Sequence, residues 1–258
     1  MTVRNVHLYG PSETLRNLET VEYEKKEHIA YITFKRPEVL NALNDRMGHE
    51  LYSIWLDARR DDDVWVAIVT GTGRGFQVGR DLKELVEYQS RGEIAPRDDP
   101  KSVKYRRDAF ARNAEFNKPI VAAINGIVAG SGLLFVGEAH IRVMVDDAYM
   151  TDGHPNFGNL GQPQRLIQDF GWTAAMYMWA CYGRLSAQDC YRLGIVTEIC
   201  PKENVLQRAI SYAEMMCQIR PSILQHGIQL ANLTRASDPA VDQLSLLLNL
   251  AHRPDVDP

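Results

Sequence analysis

Four cysteines in 258 residues are few, and none of them stands in a CxxC pair or beside a cluster of histidines. A disulfide framework and a Cys-based zinc site are therefore not expected, and Cys181, Cys190, Cys200 and Cys217 read as buried free thiols of a reducing compartment, the cytoplasm. Basic charge is also in short supply. The formal net charge is −4 and no basic block interrupts the chain, which argues against nucleic acid or an anionic membrane as partner. The N-terminal "MTVRNVHLYGPSETLRN" has no apolar run after its first charge, so no secretory signal peptide is expected. One stretch, Pro119 to Gly137, approaches the length of a membrane span, but Asn125, Ser131 and four glycines break it. Repeats and low-complexity tracts are absent. What remains, 45% hydrophobic and 24% charged residues, is the balance of a globular protein with length enough for a large core.

Apolar runs and turn residues outline strands at 28–34, 64–70, 118–124, 141–145 and 195–199. Leu43, Met47, Leu51 and Ile54 fall on one helical face, and a second helix is expected from Asp81. Ser186 followed by Asp189 is a capping pair, with Gly194 placed to end that helix. Residues 203–220, 222–236 and 239–251 read as helices, and the polar, Pro-interrupted 88–104 as a surface loop or lid. Strands alternating with helices and then helices alone suggest an α/β core with a C-terminal helical part. The division expected is a loosely packed leader 1–20, a core 21–200 and a helical region 201–258.

Two glycine-rich turns, "GTGRGFQVGRDLKEL" (71–85) and "NGIVAGSG" (125–132), each follow an apolar strand and lead into a helix. Phe76 breaks the dinucleotide fingerprint and neither turn matches a P-loop. Free backbone N–H groups at such strand ends suit a partial negative charge on oxygen, and two converging turns would form an oxyanion hole.

These words, together with "AYITFKRPEVLNALN" (30–44), "KPIVAAINGIVAGSG" (118–132) and "GRLSAQDCYRLGIVTEICP" (183–201), resemble the crotonase (enoyl-CoA hydratase/isomerase) superfamily in order and spacing. The resemblance covers about residues 20 to 250. It implies a spiral of ββα units with a C-terminal helical trimerisation region, a homotrimer or homohexamer, and an acyl-CoA or other carbonyl compound as substrate. It places the two oxyanion N–H groups on Val78 and Ser131, beside Gly79 and Gly130. It puts Lys35 and Arg36 where coenzyme A phosphates are often met, although two solvated charges at a strand end are an equal reading. Coenzyme A would enter only as part of the substrate, and no metal or separate cofactor is expected.

The sequence departs from the family at its two hydratase glutamates. Leu134 stands at the first position and His154, in "YMTDGH", at the second. A leucine cannot move a proton, so simple hydration is disfavoured. His154 becomes the candidate acid or base. Asp152 could orient it, but residues i and i+2 diverge in an extended segment, so contact needs a turn at Gly153. Glu138 lies one helical turn beyond Leu134 and either reaches the pocket, as the acid/base of an isomerase, or pairs structurally. His140 reads as a structural residue opening a strand, and a metal site built with it lacks the usual spacing. "TDGHP" also resembles the branch that cleaves C–C bonds of β-dicarbonyl compounds with a histidine and a downstream aspartate; here the downstream "FGNLGQPQRL" is short and has no acid. Three functions stay open: enolate chemistry through His154 with C–C cleavage or a proton shift, isomerisation through Glu138, and a non-catalytic acyl-CoA-binding paralogue.

Overall fold

Short strands are paired in succession along the chain, each pair ending in a helix, because every apolar run is followed by a tight turn and a second, briefer run. The computed structural model describes residues 14–94 and 109–234, with 240, 243, 244 and 247. Strands β1 (Val21–Lys26) and β2 (Ile29–Phe34) form an antiparallel hairpin, and helix α1 (Asp45–Arg60) follows. Then come β3 (Val66–Gly71), β4 (Gly75–Gln77) and α2 (Leu82–Ser90), β5 (Ile120–Ile124), β6 (Ile127–Ala129) and α3 (Gly132–Glu138), and β7 (Ile141–Val145) and β8 (Tyr149–Thr151). Helices α4 (Pro163–Phe170) and α5 (Trp172–Cys181), strand β9 (Leu185–Ser186), helix α6 (Ala187–Arg192) and strand β10 (Glu198–Cys200) lead to α7 (Val205–Cys217) and α8 (Pro221–Thr234).

Both strands of the first hairpin and the first strand of each later pair enter a six-stranded sheet, ordered β1-β2-β3-β5-β7-β10 and parallel from β2 onward; the second strands β4, β6 and β8 enter a four-stranded sheet, ordered β4-β6-β8-β9, whose first three members are parallel. This is the expected spiral of ββα turns. β3 and β5 are almost wholly buried, as continuous apolar runs in a parallel sheet require. Phe34, Phe76 and Phe135 meet edge to face where the two sheets approach, contacts worth about 0.5–1.5 kcal/mol each beyond their area. On α1 the expected face is buried through Met47, Leu51 and Ile54, and Asn44 caps the helix by accepting from the Met47 N–H.

Three expectations change. Glu19 and Thr20 are not loose: their N–H groups, with that of Val21 and the Thr20 hydroxyl, donate to the buried Glu50 carboxylate on α1. The core does not stop at residue 200, since Val205, Ala209 and Ala213 of α7 are buried in it. Cys181 is exposed rather than buried, though all four thiols are free. Residues 1–13, positions 95–104 of the polar loop and nearly all of the 239–251 helix lie outside the described residues. No helix among the described residues is long and apolar enough to cross a membrane.

Candidate active site

The C-terminal ends of three neighbouring parallel strands build the site. Val78 follows β4, Gly130 and Ser131 follow β6, and Asp152 follows β8. The ends of parallel strands are where an α/β sheet leaves backbone groups without ladder partners, so a ligand can take them.

Between β4 and β6 the backbones nearly touch. A Cβ on Gly132 would stand 2.0 Å from the Gln77 carbonyl oxygen, so only glycine admits this approach. The side chain of buried Gln77 closes the turn by donating to the Gly79 carbonyl at 3.1 Å and accepting from the Gly79 N–H at 2.8 Å. Val78 is thereby arched over a fixed strut. Among the described residues, neither the Val78 N–H nor the Ser131 N–H is spent on a hydrogen bond. Two rigid, unspent donors on touching turns are what an oxyanion hole requires. Gln77 escaped the sequence reading, as did two buried asparagines that hold the first glycine turn. Asn41 donates to the carbonyls of Thr72, Gly75 and Phe76, and Asn125 to those of Gly73 and Gly75.

β8 delivers the third component. Gly153 breaks the extended path (φ −98°, ψ 0°), and a short 3₁₀ turn, His154–Phe157, starts at once with Pro155 in its first turn. The turn folds His154 back on Asp152, whose Oδ1 accepts from the His154 backbone N–H at 3.1 Å and lies 2.5 Å from the ring Nδ1. Asp152 is 1% exposed, and its Oδ2 has no hydrogen-bond partner among the described residues. An ionised carboxylate can only accept, so a neutral imidazole bonded to it carries its proton on Nδ1 and its lone pair on Nε2. Nε2 makes no hydrogen bond to any described residue, and the ring's Cε1 lies 3.6 Å from where a Gly130 Cβ would be. The imidazole edge thus lies toward the Gly130 turn. The pairing that extended geometry forbade is made by the turn at Gly153.

Other candidates are placed differently. Glu138 turns away from the site: its carboxylate accepts from the N–H groups of Ala111 at 2.8 Å and Arg112 at 3.3 Å, and from Arg112 Nε at 2.7 Å. Burial pushes its pKa up while those donors oppose the shift, but every bond it makes serves a cap, not the pocket. Arg36 is likewise committed. Its guanidinium donates to Asp81 at 2.8 Å and to the Ala42 carbonyl at 2.6 Å, so it is a strut between two loops rather than a waiting cation. Lys35 stays exposed, ion-paired with Glu22. His140 Nδ1 accepts from the Ile120 N–H, tying β5 to the start of β7. Leu134 is buried in the core. Among the described residues no group of three His, Cys, Asp or Glu side chains could hold a metal ion.

The fold agrees with what comparison with known proteins finds. The enoyl-CoA hydratase/isomerase family model matches residues 24–248. The chain belongs to that family. A crystal structure of an enoyl-CoA hydratase/isomerase from Mycobacterium paratuberculosis superposes on this crotonase-fold enzyme with a TM-score of 0.76 at 29% identity, covering 93% of each chain. The (E)-benzylidenesuccinyl-CoA hydratase of Thauera aromatica is 30% identical over 219 residues, 83% of this chain and 82% of its own. The 2,3-dehydroadipyl-CoA hydratase of Escherichia coli K12 is 28% identical over 208 residues, 80% and 78% of the two chains. At its strand ends this member of the enoyl-CoA hydratase/isomerase family carries an imidazole–carboxylate pair, His154 and Asp152.

Proposed function

We propose that the chain is an acyl-CoA-processing enzyme that stabilises an enolate and uses His154 as its acid and base. The observation that carries this reading is the Asp152–His154 pair, with Nδ1 held by a buried carboxylate and Nε2 unspent beside the oxyanion turn. The substrate carbonyl oxygen accepts from the N–H groups of Val78 and Ser131. Nε2 takes a proton from water, and the hydroxide adds to a second carbonyl, β to the first. The C–C bond between them breaks, its electron pair passing into the enolate whose oxygen sits in the hole. The imidazolium returns its proton to the enolate carbon, so that one water is consumed and an acid and a shortened carbonyl compound leave. Without a second carbonyl, the same base would shift a proton between carbons. Glu138 is not drawn on, because its carboxylate is fully engaged elsewhere.

Product analysis by mass spectrometry in H₂¹⁸O, over matched panels of enoyl-CoA and β-dicarbonyl compounds, tests the reaction. Label in a new carboxylate is expected, and His154→Ala is expected to lower turnover by about 10² or more, the scale of general acid–base catalysis. Label in a β-hydroxyacyl product would assign hydration instead, and turnover on no panel member would favour a binding-only paralogue. The exposed apolar residues Ile223, Leu230 and Leu233 of α8, with Leu244 and Leu247, suit a homotrimer or homohexamer, which sedimentation velocity would read.

A further inference from the structure

The short stretch after the histidine turn does more than connect β8 to α4. Gly158 closes the 3₁₀ turn in the left-handed region (φ +67°), and the Asn159 N–H donates back to the His154 carbonyl at 3.1 Å. Asn159 Oδ1 then accepts from the Gly161 N–H at 2.7 Å, and the Leu160 carbonyl accepts from Trp179 Nε1 on α5 at 2.8 Å. This route brings Gly161, also left-handed at φ +62°, against the imidazole of His154. A Cβ on Gly161 would stand 2.7 Å from Nδ1, 2.8 Å from Cγ and 3.1 Å from Cβ of that residue. Real Cβ atoms do not come so close, so the ring could not keep its place beside any other residue type.

His154 is therefore held at Nδ1 by Asp152 Oδ1 in a space that two glycines leave open: a Cβ on Gly130 would touch the Cε1 edge, and one on Gly161 would displace the Nδ1–Cγ side. We infer that Gly161, held in place by the Trp179–Leu160 hydrogen bond, is the positioning residue that fixes the tautomer and direction of the His154 imidazole. The inference rests on the reading of His154 as the working base, but its test does not need a substrate. It also explains why the chain can be so short between His154 and α4, since the backbone itself replaces a side-chain wall.

The test uses the full-length protein with ring-labelled histidine, its His154 signals assigned by comparison with His154→Gln. Ring nitrogen and Cε1 shifts report which tautomer is populated. The wild type is expected to show one Nδ1–H species with a slowly exchanging, hydrogen-bonded Nδ1 proton. Gly161→Ala is expected to lose that proton signal and populate both tautomers. The control is Gly158→Ala, which carries the same left-handed strain (φ +67°) but has nothing within 4 Å of the added Cβ. It should keep the wild-type signature. Trp179→Phe removes the anchoring hydrogen bond while preserving most of the packing, and should shift the His154 signals in the direction of Gly161→Ala. Wild-type signals in Gly161→Ala, or equal changes in Gly161→Ala and Gly158→Ala, would overturn the assignment. Should His154→Ala leave turnover intact, the catalytic reading falls while these spectra still decide the role of Gly161.

Discussion

Replacing Asp152 by Asn changes one atom of the pair and removes its charge. In the native site, proton uptake by Nε2 creates an imidazolium whose charge centre lies about 4 Å from that of the carboxylate, given the 2.5 Å Nδ1–Oδ1 contact. At an effective dielectric constant of about 20 such a pair is worth about 4 kcal/mol. The aspartate is 1% exposed but the histidine side chain is 28% exposed, so water reduces this to about 2–3 kcal/mol. At 1.36 kcal/mol per tenfold in rate, turnover should fall about 30- to 150-fold. The loss deepens toward about 10⁴-fold if the amide nitrogen rotates to donate to Nδ1 and imposes the wrong tautomer. Initial rates of ¹⁸O-labelled product, read by mass spectrometry at fixed pH, measure it. Asp152→Asn turning over within threefold of wild type, while His154→Ala is inactive, would refute the reasoning.

Glu138→Gln should cost about 1–3 kcal/mol of stability in urea melts, because Arg112 and two buried N–H groups lose a charged acceptor. Turnover of the folded variant should stay within threefold, and a dead but equally stable variant would restore Glu138 to the chemistry. Glu84 on α2, accepting from the Asp45 N–H, has its pKa pushed up to about 7 by burial and then by the neighbouring Asp45. The native state therefore holds this proton more tightly than the unfolded chain, and the cost grows as pH rises from about 4.5 through about 7. Glu84→Gln should stabilise the protein at pH 8 by about 1 kcal/mol after solvent screening and give no gain at pH 4, and equal melting shifts at both would refute it.

The parts of the fold written in local pattern were the legible ones. Strands β2, β3, β5 and β7 are apolar runs long enough to carry a signal, and Ser186 and Asp189 do form the capping box their spacing suggests. The strands β4, β6 and β8 were not legible, since three residues cannot display a period of two. Strand β10 begins at Glu198, later than the run from Ile195 suggested, because Ile195 and Val196 are still in the turn that ends α6. The site divides in the same way. The two glycine turns stood out in the sequence, and resemblance to the family put Val78 and Ser131 on them, whereas the fates of Arg36 and Glu138 depend on Asp81 and Arg112, partners 45 and 26 residues away. Asp152 was the instructive case. Extended geometry separates it from His154, and a single glycine, Gly153, with Pro155 two residues on, reverses that geometry.

Val78 and Ser131 follow adjacent strands of one sheet, β4 and β6, and strand spacing, about 4.8 Å, is a property of the peptide bond rather than of any side chain. The side chains of Val78 and Ser131 leave that spacing untouched. On the proposed reading, the seat for the carbonyl persists while the proton-handling groups around it are exchanged, Leu134 for a carboxylate on one side and an imidazole for the other. New chemistry in such a scaffold needs no new backbone, only a turn that brings a different titratable ring to the same edge.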